Sequence, residues 1–357
     1  MVSSQFFERA RPSRRSVMKA AGAGAMVAAT GAAVASSANA DTPSPRLADG
    51  DLITRTIPRT GEEVPAIGLG TFMTWDILPE HPRDDLRETL ETHWAGGGRV
   101  VDTSVLYGMP EENIGEFASE LGVVDEMFVT AKTWTTGEYL SDPSHVQAQF
   151  EQTRERLSRE QIDVLQVHNC VNPEMNLAIM RQFQEEGLVR HLAITHHDSA
   201  YHQVIEGWMN SGDVDFVQVR YSIFDRTVEE RILPAAADNG VAVLVCMPLE
   251  KARLHDLVSD RDVPEWAAEE LGCENWSQFF LKWILGNPDV TVVLPGTGTP
   301  AHVAENVGAM RGPIPDDKQR KRMRKYMEEE VPGFADINSA PWYPGKTYDK
   351  GLVQLPS

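Results

Sequence analysis

The chain is 357 residues long, enough for one large domain or two average ones. With 33 Lys and Arg against 53 Asp and Glu its formal net charge is -20, which disfavours nucleic acid and anionic membrane as partners. An apolar fraction of 41% that includes 8 Trp predicts a folded core and excludes a disordered chain.

The first forty residues read as a separate text. Ser13-Arg14-Arg15-Ser16-Val17-Met18-Lys19 precedes an Ala/Gly/Val stretch over 20–35, and Ala38-Asn39-Ala40 supplies a small-residue cleavage site. Twin arginine, modest hydrophobicity and Ala-x-Ala together are similar to a twin-arginine export signal, cleaved after Ala40. This makes the twin-arginine translocase a partner during export and the mature chain periplasmic or exported, no longer membrane-bound. The alternative is an uncleaved helical anchor, for which about 16 small apolar residues are short of the roughly 20 that a spanning helix needs. The three cysteines, Cys170, Cys246 and Cys273, are too few and odd in number for a disulfide framework, and buried thiols are expected.

Residues 41–51, with Pro43 and Pro45, read as a linker. Residues 52–57, the Arg59-Thr60-Gly61-Glu62 turn and residues 64–69 predict a β-hairpin running into a first barrel strand. Strands and helices then alternate. A helix over 83–95 stops at Gly96-Gly97-Gly98 and is followed by a strand over 99–102; a helix over 111–121 precedes the strand 127–132. In the third helix Val146, Phe150, Thr153 and Leu157 share one face, and the strand 162–168 comes next. A helix ending near Gly187, strand 189–195, helix 200–209, strand 214–221 and helix 228–238 continue the alternation. Strand 241–247, helical pieces at 264–271 and 276–285, strand 290–294 and helix 300–310 complete it. Eight such units predict an α/β fold, a (β/α)8 TIM barrel over 52–312 with an N-terminal β-hairpin. A charged helix over 316–330 and an aromatic tail through Trp342, Tyr343 and Tyr348 form a C-terminal segment, 313–357, expected to pack on the barrel.

Polar groups at the C-terminal ends of parallel strands are where such a barrel keeps its chemistry. Gly98 to Gly108 holds a short strand ending in Asp102 and, five residues on, Tyr107; the next two strands end in Lys132 and His168. All four are expected to converge. The Asp-Thr-Ser-x-x-Tyr-Gly pattern with a strand-end Lys and a strand-end His resembles the aldo/keto reductase family in residue types, order and spacing. The resemblance runs from Gly68-Leu69-Gly70-Thr71 to Pro295-Gly296-Thr297 and Glu305-Asn306. It implies hydride transfer from a nicotinamide cofactor to an aldehyde or ketone, reversibly, with Tyr107 as general acid. Lys132 would lower the phenol's ordinary pKa of about 10, Asp102 would hold Lys132, and His168 would orient the substrate oxygen.

The resemblance also implies cofactor contacts from Thr71 and Asp102, a carboxamide clamp from Thr195, His196 and Gln218, and a ring platform at Cys246. It adds the Met247-Pro248-Leu249 loop, and Pro295, Gly296, Thr297, His302, Glu305 and Asn306 toward the adenine end. His196 stands where the family has Asn, Cys246 where it has an aromatic ring, and Gly296 and His302 where many members hold a 2′-phosphate with Lys and Arg. NADPH is the expected cofactor, with NADH as the alternative. Trp75 and Trp134, together with Tyr107, His168 and Asn169, are expected around the substrate, the two tryptophans alternatively as packing lids. No spaced ligand set for a metal is present in the sequence. Two other readings stay open. One is a nicotinamide-dinucleotide-binding regulatory or sensor protein on the same scaffold, because fold does not imply turnover. The other is a cofactor-free sugar- or lipid-processing barrel, which needs a second strand-end carboxylate that Asp102 lacks.

Overall fold

The computed structural model describes residues 51–343 and the short antiparallel strands Thr347–Asp349 and Leu352–Gln354. The export signal expected at 1–40 and all but the last residue of the expected linker lie outside the described residues.

The chain enters through an antiparallel hairpin, β1 (Thr54–Thr56) and β2 (Glu63–Pro65), and then forms eight parallel strands. These are β3 (Leu69–Gly70), β4 (Val100–Asp102), β5 (Phe128–Thr133), β6 (Ile162–Val167), β7 (Val189–His196), β8 (Phe216–Arg220), β9 (Ala242–Cys246) and β10 (Val292–Val293). Their spatial order is their sequence order, and bridges Ile67 to Val293 and Gly70 to Gly296 join first to last. The sheet therefore closes into the expected (β/α)8 barrel. The run 64–69, expected to carry the hairpin into the first barrel strand, is divided between β2 and β3. Pro65 ends the hairpin ladder for want of an N–H, and Gly68 follows where any Cβ would collide with Leu294 and Val100.

Between the strands lie α1 (Asp84–Ala95), α2 (Pro110–Leu121), α3 (Pro143–Arg156), α4 (Pro173–Glu185), α5 (His202–Ser211) and α6 (Ile232–Asn239). Pro at the first position opens α2, α3 and α4, and left-handed glycines Gly122, Gly212 and Gly240 close α2, α5 and α6. After β9 the expected pair of helices is a trio, α7 (Arg253–Leu257), α8 (Glu265–Leu271) and α9 (Trp276–Leu285). The five-residue α7 is too short to show a helical period. Then come α10 (Pro300–Gly308) and α11 (Asp317–Glu330), the latter started by a capping box between Asp316 and Gln319. α11 packs through buried Met323 and Met327, and Arg320 lies over the Trp283 ring at 4.4 Å.

Two apolar clusters follow from the strand period of two. The larger fills the space between sheet and helices. The smaller lies inside the barrel and joins Ile57 and Val64 of the hairpin to Val100, Phe128, Val164, Ala193, Phe216, Leu244 and Leu294. The hairpin thus plugs the N-terminal end, and only the C-terminal mouth is left for chemistry.

One buried group sets an acid limit on the fold. His93 of α1 is fully buried, with Nε2 3.2 Å from the Val100 carbonyl, and burial pushes its pKa down to about 4. The unfolded chain protonates this imidazole near pH 6.5, whereas the folded chain does not until about pH 4. Its contribution is complete above pH 6.5 and is lost as pH falls toward 4, at about 1.4 kcal/mol per pH unit. Urea unfolding of His93→Gln across this window is expected to show a shallower loss of stability on acidification than the wild-type chain.

Candidate active site

The same period of two that builds the inner core also builds the site. Two residues beyond Val100, Phe128, Val164 and Phe216, the strands present Asp102, Thr130, Gln166 and Gln218; two further on stand Lys132 and His168. The barrel interior changes from apolar to polar within one layer.

Asp102 is the centre of this layer. Its Oδ1 accepts hydrogen bonds from Lys132 Nζ at 2.7 Å, Thr130 Oγ1 at 2.6 Å, Gln166 Nε2 at 3.1 Å and Gln218 Nε2 at 2.7 Å. Lys132 also donates to Oδ2 at 2.7 Å and to the Thr103 carbonyl at 3.0 Å, so its three protons are all spent. Asp102 is 5% exposed and Lys132 1%. Burying such a pair is costly unless the remaining lone pairs and protons are satisfied, and here they are. Thr71 Oγ1 fastens the loop after β3 to the Asp102 carbonyl at 2.9 Å.

Tyr107 stands above this pair on a single helical turn, Val105–Tyr107, capped by Ser104. Gly108 follows at φ 89°, and a Cβ there would collide with the Asp76 carboxylate, so the position requires glycine. Lys132 Nζ lies 5.1 Å from the Tyr107 ring centre, but none of its protons reaches the hydroxyl. Burial, then the charge of Asp102 and the Cys246 thiol, hold the phenol well above its ordinary pKa. The Lys132–Asp102 pair is the one expected from the sequence, whereas the phenol's pKa is raised where Lys132 was expected to lower it, so Tyr107 is held as a neutral phenol.

His168 directly follows β6, its ring 5.7 Å from that of Tyr107 and 5.4 Å from Trp134. Burial, reinforced by the charge of Lys132, pushes its pKa down to about 3, so the imidazole is neutral at neutral pH. Ser104 Oγ accepts the Leu106 amide at 3.2 Å and lies 3.1 Å from His168 Nδ1. With the serine proton given to Nδ1, the ring keeps its own proton on Nε2. Trp134 is held beside it by Gln149, whose side chain bonds both the amide and the carbonyl of residue 134. Asn169, Cys170 and Asn172 all have positive φ, a concentration of backbone strain next to His168.

The expected cofactor residues divide into those the structure joins and those it does not. Thr195 Oγ1 donates to the Gln218 carbonyl at 2.9 Å and lies 3.2 Å from its Oε1, linking β7 and β8. His196 stays apart from this pair: its Nδ1 accepts the Asp198 amide and its ring stacks on Tyr201 at 3.7 Å. Cys246 ends β9 as a half-buried thiol whose pKa burial and Asp102 push up to about 12. Met247, Glu250, Lys251 and Ala252 carry positive φ in the following loop, around half-buried Leu249. Buried Glu250 pins this loop by accepting from Arg220, Arg253 and Ser222. At the far end Gly296 and His302 are exposed and Pro295 is buried. Thr297 Oγ1 accepts the Thr299 amide at 3.1 Å, Glu305 accepts from Ser277 at 2.7 Å, and Asn306 is buried with Oδ1 unpartnered.

Trp75 requires a correction. It has no exposed surface; Nε1 donates to the Thr297 carbonyl at 2.9 Å, and its own carbonyl accepts from Asn113 at 2.8 Å. It ties the loop after β3 to the loop after β10 and walls no open pocket. Thr130, Gln166, Ser104 and Glu250 are site residues that the sequence reading missed. The first two were accessible from alternation, because each lies two residues before a strand-end residue already singled out.

The chain is 27% identical to the NADH-specific methylglyoxal reductase of Escherichia coli K12, over 47% of this chain and 60% of that enzyme. It is 24% identical to L-galactose dehydrogenase of Arabidopsis thaliana, over 72% of this chain and 87% of that enzyme. An aldo-keto reductase from Klebsiella pneumoniae, solved in complex with NADPH, shares the fold with a TM-score of 0.66 at 21% identity, over 77% of this chain and 95% of that one. The family model for aldo/keto reductases covers residues 66–326, which contain the closed barrel with Asp102, Tyr107, Lys132 and His168, and the chain belongs to the aldo/keto reductase family.

Proposed function

We propose that the protein is an NAD(P)H-dependent oxidoreductase that reduces an aldehyde or ketone to an alcohol. The observation that carries this reading is the pairing of two neutral proton-bearing groups, Tyr107 and His168, over the buried Lys132–Asp102 pair at the barrel mouth.

A carbonyl oxygen between the two rings would meet the His168 Nε2–H, which orients it and draws electron density toward oxygen. As negative charge grows on that oxygen, the Tyr107 hydroxyl passes its proton to it. The phenolate left behind faces Lys132, whose position Asp102 fixes. The high pKa of Tyr107 before reaction keeps the proton in place until the alkoxide, a stronger base, develops. A nicotinamide dinucleotide, when bound, supplies the hydride to the carbonyl carbon.

The residues present fit such a cofactor. Asn306 Oδ1, Gln166 Oε1 and Thr103 Oγ1 are buried without hydrogen-bond partners, and such atoms need a polar ligand or water. Thr195 and Gln218 would hold the carboxamide, the loop at Met247 to Leu249 would flank the dinucleotide, and the Thr297–Thr299 turn with the α10 N-terminus would take phosphate. NADPH is the first choice, supported by the Klebsiella pneumoniae complex, and NADH the second, supported by the name of the Escherichia coli relative. The twin-arginine pattern in residues 13–40 supports export of the folded chain to the periplasm.

Tyr107→Phe is expected to keep NADPH binding, read by Trp fluorescence quenching, and to lose about 10² to 10⁴-fold in turnover. Wild-type rates in that variant would remove Tyr107 as the acid. A Cβ at Gly296 comes no closer than 3.4 Å to its neighbours, so Gly296→Lys is accommodated. It should tighten NADPH at least about tenfold and leave NADH unchanged. Replacing Arg14 and Arg15 together by Lys should retain the precursor in the cytoplasm, as read by cell fractionation; unchanged export would remove the twin-arginine route.

A further inference from the structure

We propose that Ser104 is a positioning residue for the reduction, its hydroxyl holding His168 in the neutral tautomer that donates to a carbonyl oxygen and keeping that ring in step with Tyr107. The inference rests on the reductase reading and deepens it by one side chain of the same site.

Ser104 leaves β4 two residues beyond Asp102, in extended backbone, and has no exposed surface. The segment that carries it is fixed at each step. Thr71 Oγ1 donates to the Asp102 carbonyl at 2.9 Å, and the Thr103 amide donates to the Thr130 carbonyl at 2.9 Å. Lys132 Nζ donates to the Thr103 carbonyl at 3.0 Å, and the Tyr107 amide donates to the Ser104 carbonyl at 3.0 Å. The hydroxyl therefore has a set position. From there Oγ lies 3.1 Å from His168 Nδ1, 64 residues away in sequence.

Two neutral tautomers are open to His168, because burial and the charge of Lys132 keep the ring unprotonated at neutral pH. In one, Nδ1 carries the proton and donates to Ser104; in the other, Ser104 donates to Nδ1 and the ring proton sits on Nε2. Ser104 Oγ already accepts the Leu106 amide at 3.2 Å, and among the described residues its own proton meets one acceptor, His168 Nδ1. If the ring donated instead, the serine proton would be buried without an acceptor, a loss that the second tautomer avoids. The Nε2–H form follows. It offers a carbonyl oxygen a donor, whereas the other form offers a lone pair, which repels that oxygen and its growing negative charge.

The same oxygen joins the two reacting groups. The Leu106 amide that it accepts lies in the turn Val105–Tyr107, so one hydroxyl caps the turn that carries the acid and anchors the ring that orients the substrate. The rings of Tyr107 and His168 stand 5.7 Å apart across this link. Among the described residues no other hydrogen bond holds the His168 ring, and Trp134 packs on it edge-to-face at 5.4 Å. Without the hydroxyl, nothing in this set of contacts distinguishes Nδ1 from Nε2, and the ring exchanges tautomers. A threonine keeps the hydroxyl, and the backbone at 104, with φ -160° and ψ 146°, suits a β-branched residue.

The test is long-range proton–nitrogen NMR correlation of the full chain labelled at its histidine rings, with His168 assigned by the loss of its signals in His168→Gln. Wild type is expected to show the Nε2–H tautomer alone, and Ser104→Ala a mixture of the two tautomers or the Nδ1–H form. Ser104→Thr should restore the wild-type pattern. Kinetics with NADPH use whichever of propanal, benzaldehyde and glyceraldehyde the wild type turns over fastest. There kcat/KM should fall about 10²-fold in Ser104→Ala and recover in Ser104→Thr, with NADPH binding, read by Trp fluorescence, unchanged in both. An Nδ1–H ring in the wild type overturns the inference, and that result needs no variant to fold. A single Nε2–H tautomer in folded Ser104→Ala overturns it too, and a rate loss beside that unchanged ring would confine the serine to capping the Tyr107 turn. If no aldehyde is turned over and neither NADPH nor NADH quenches Trp fluorescence, the reductase reading fails instead, and the ring spectra still decide what Ser104 does to His168.

Discussion

The ion pair between Asp102 and Lys132 is the constraint on which the rest of this barrel depends. A carboxylate and an ammonium almost fully withdrawn from water are tolerated only when every lone pair and proton finds a partner. Here β4 provides the acid, β5 the base and Thr130, β6 Gln166, and β8 Gln218, so four strands must be in register for the charge to be satisfied. Because the barrel closes through β3 and β10, the same registers fix the height of Tyr107 and His168 above the pair. The polar layer acts as both a structural tie and the floor of the site.

Around that floor the chain keeps its titrating groups neutral. Burial dominates at Tyr107, His168 and Cys246, lifting the phenol and the thiol and lowering the imidazole. The site therefore holds one balanced ion pair surrounded by uncharged donors. An arrangement of this kind favours a reaction whose charge appears only in the transition state, on an oxygen placed between Tyr107 and His168. Local rigidity comes from a different source. The positive φ angles at Asn169, Cys170 and Asn172, and at Met247, Glu250, Lys251 and Ala252, are strained for non-glycine residues. The second group is held by a second buried charge cluster, in which Glu250 takes Arg220 from β8, Arg253 from α7 and Ser222 between them. The first borders His168 after β6 and the second follows Cys246 after β9, so the strained backbone lies at two separate points of the mouth.

The sequence by itself determined the alternation of strands and helices, the strand ends that carry chemistry, and their order. Short β-branched runs between helical periods admit few arrangements, and a strand-end Asp, Lys and His with Tyr107 in the adjoining loop is a local pattern that survives without coordinates. Tertiary structure decided what each of those groups does with its hydrogen bonds. Lys132 had two expected neighbours, Asp102 and Tyr107, and spends its protons on Asp102 and the Thr103 carbonyl with none left for the phenol, a division of hydrogen bonds that no linear spacing encodes. Trp75 took the packing alternative because the loop after β3 must reach the Thr297 carbonyl, 222 residues away in sequence. Thr130 and Gln166 sat in plain view within apolar runs, and only closure of the barrel turned their inward positions into partners of one carboxylate. Long-range register and side-chain competition for hydrogen bonds are properties of the folded assembly, whereas period, capping and strand-end identity are properties of the chain.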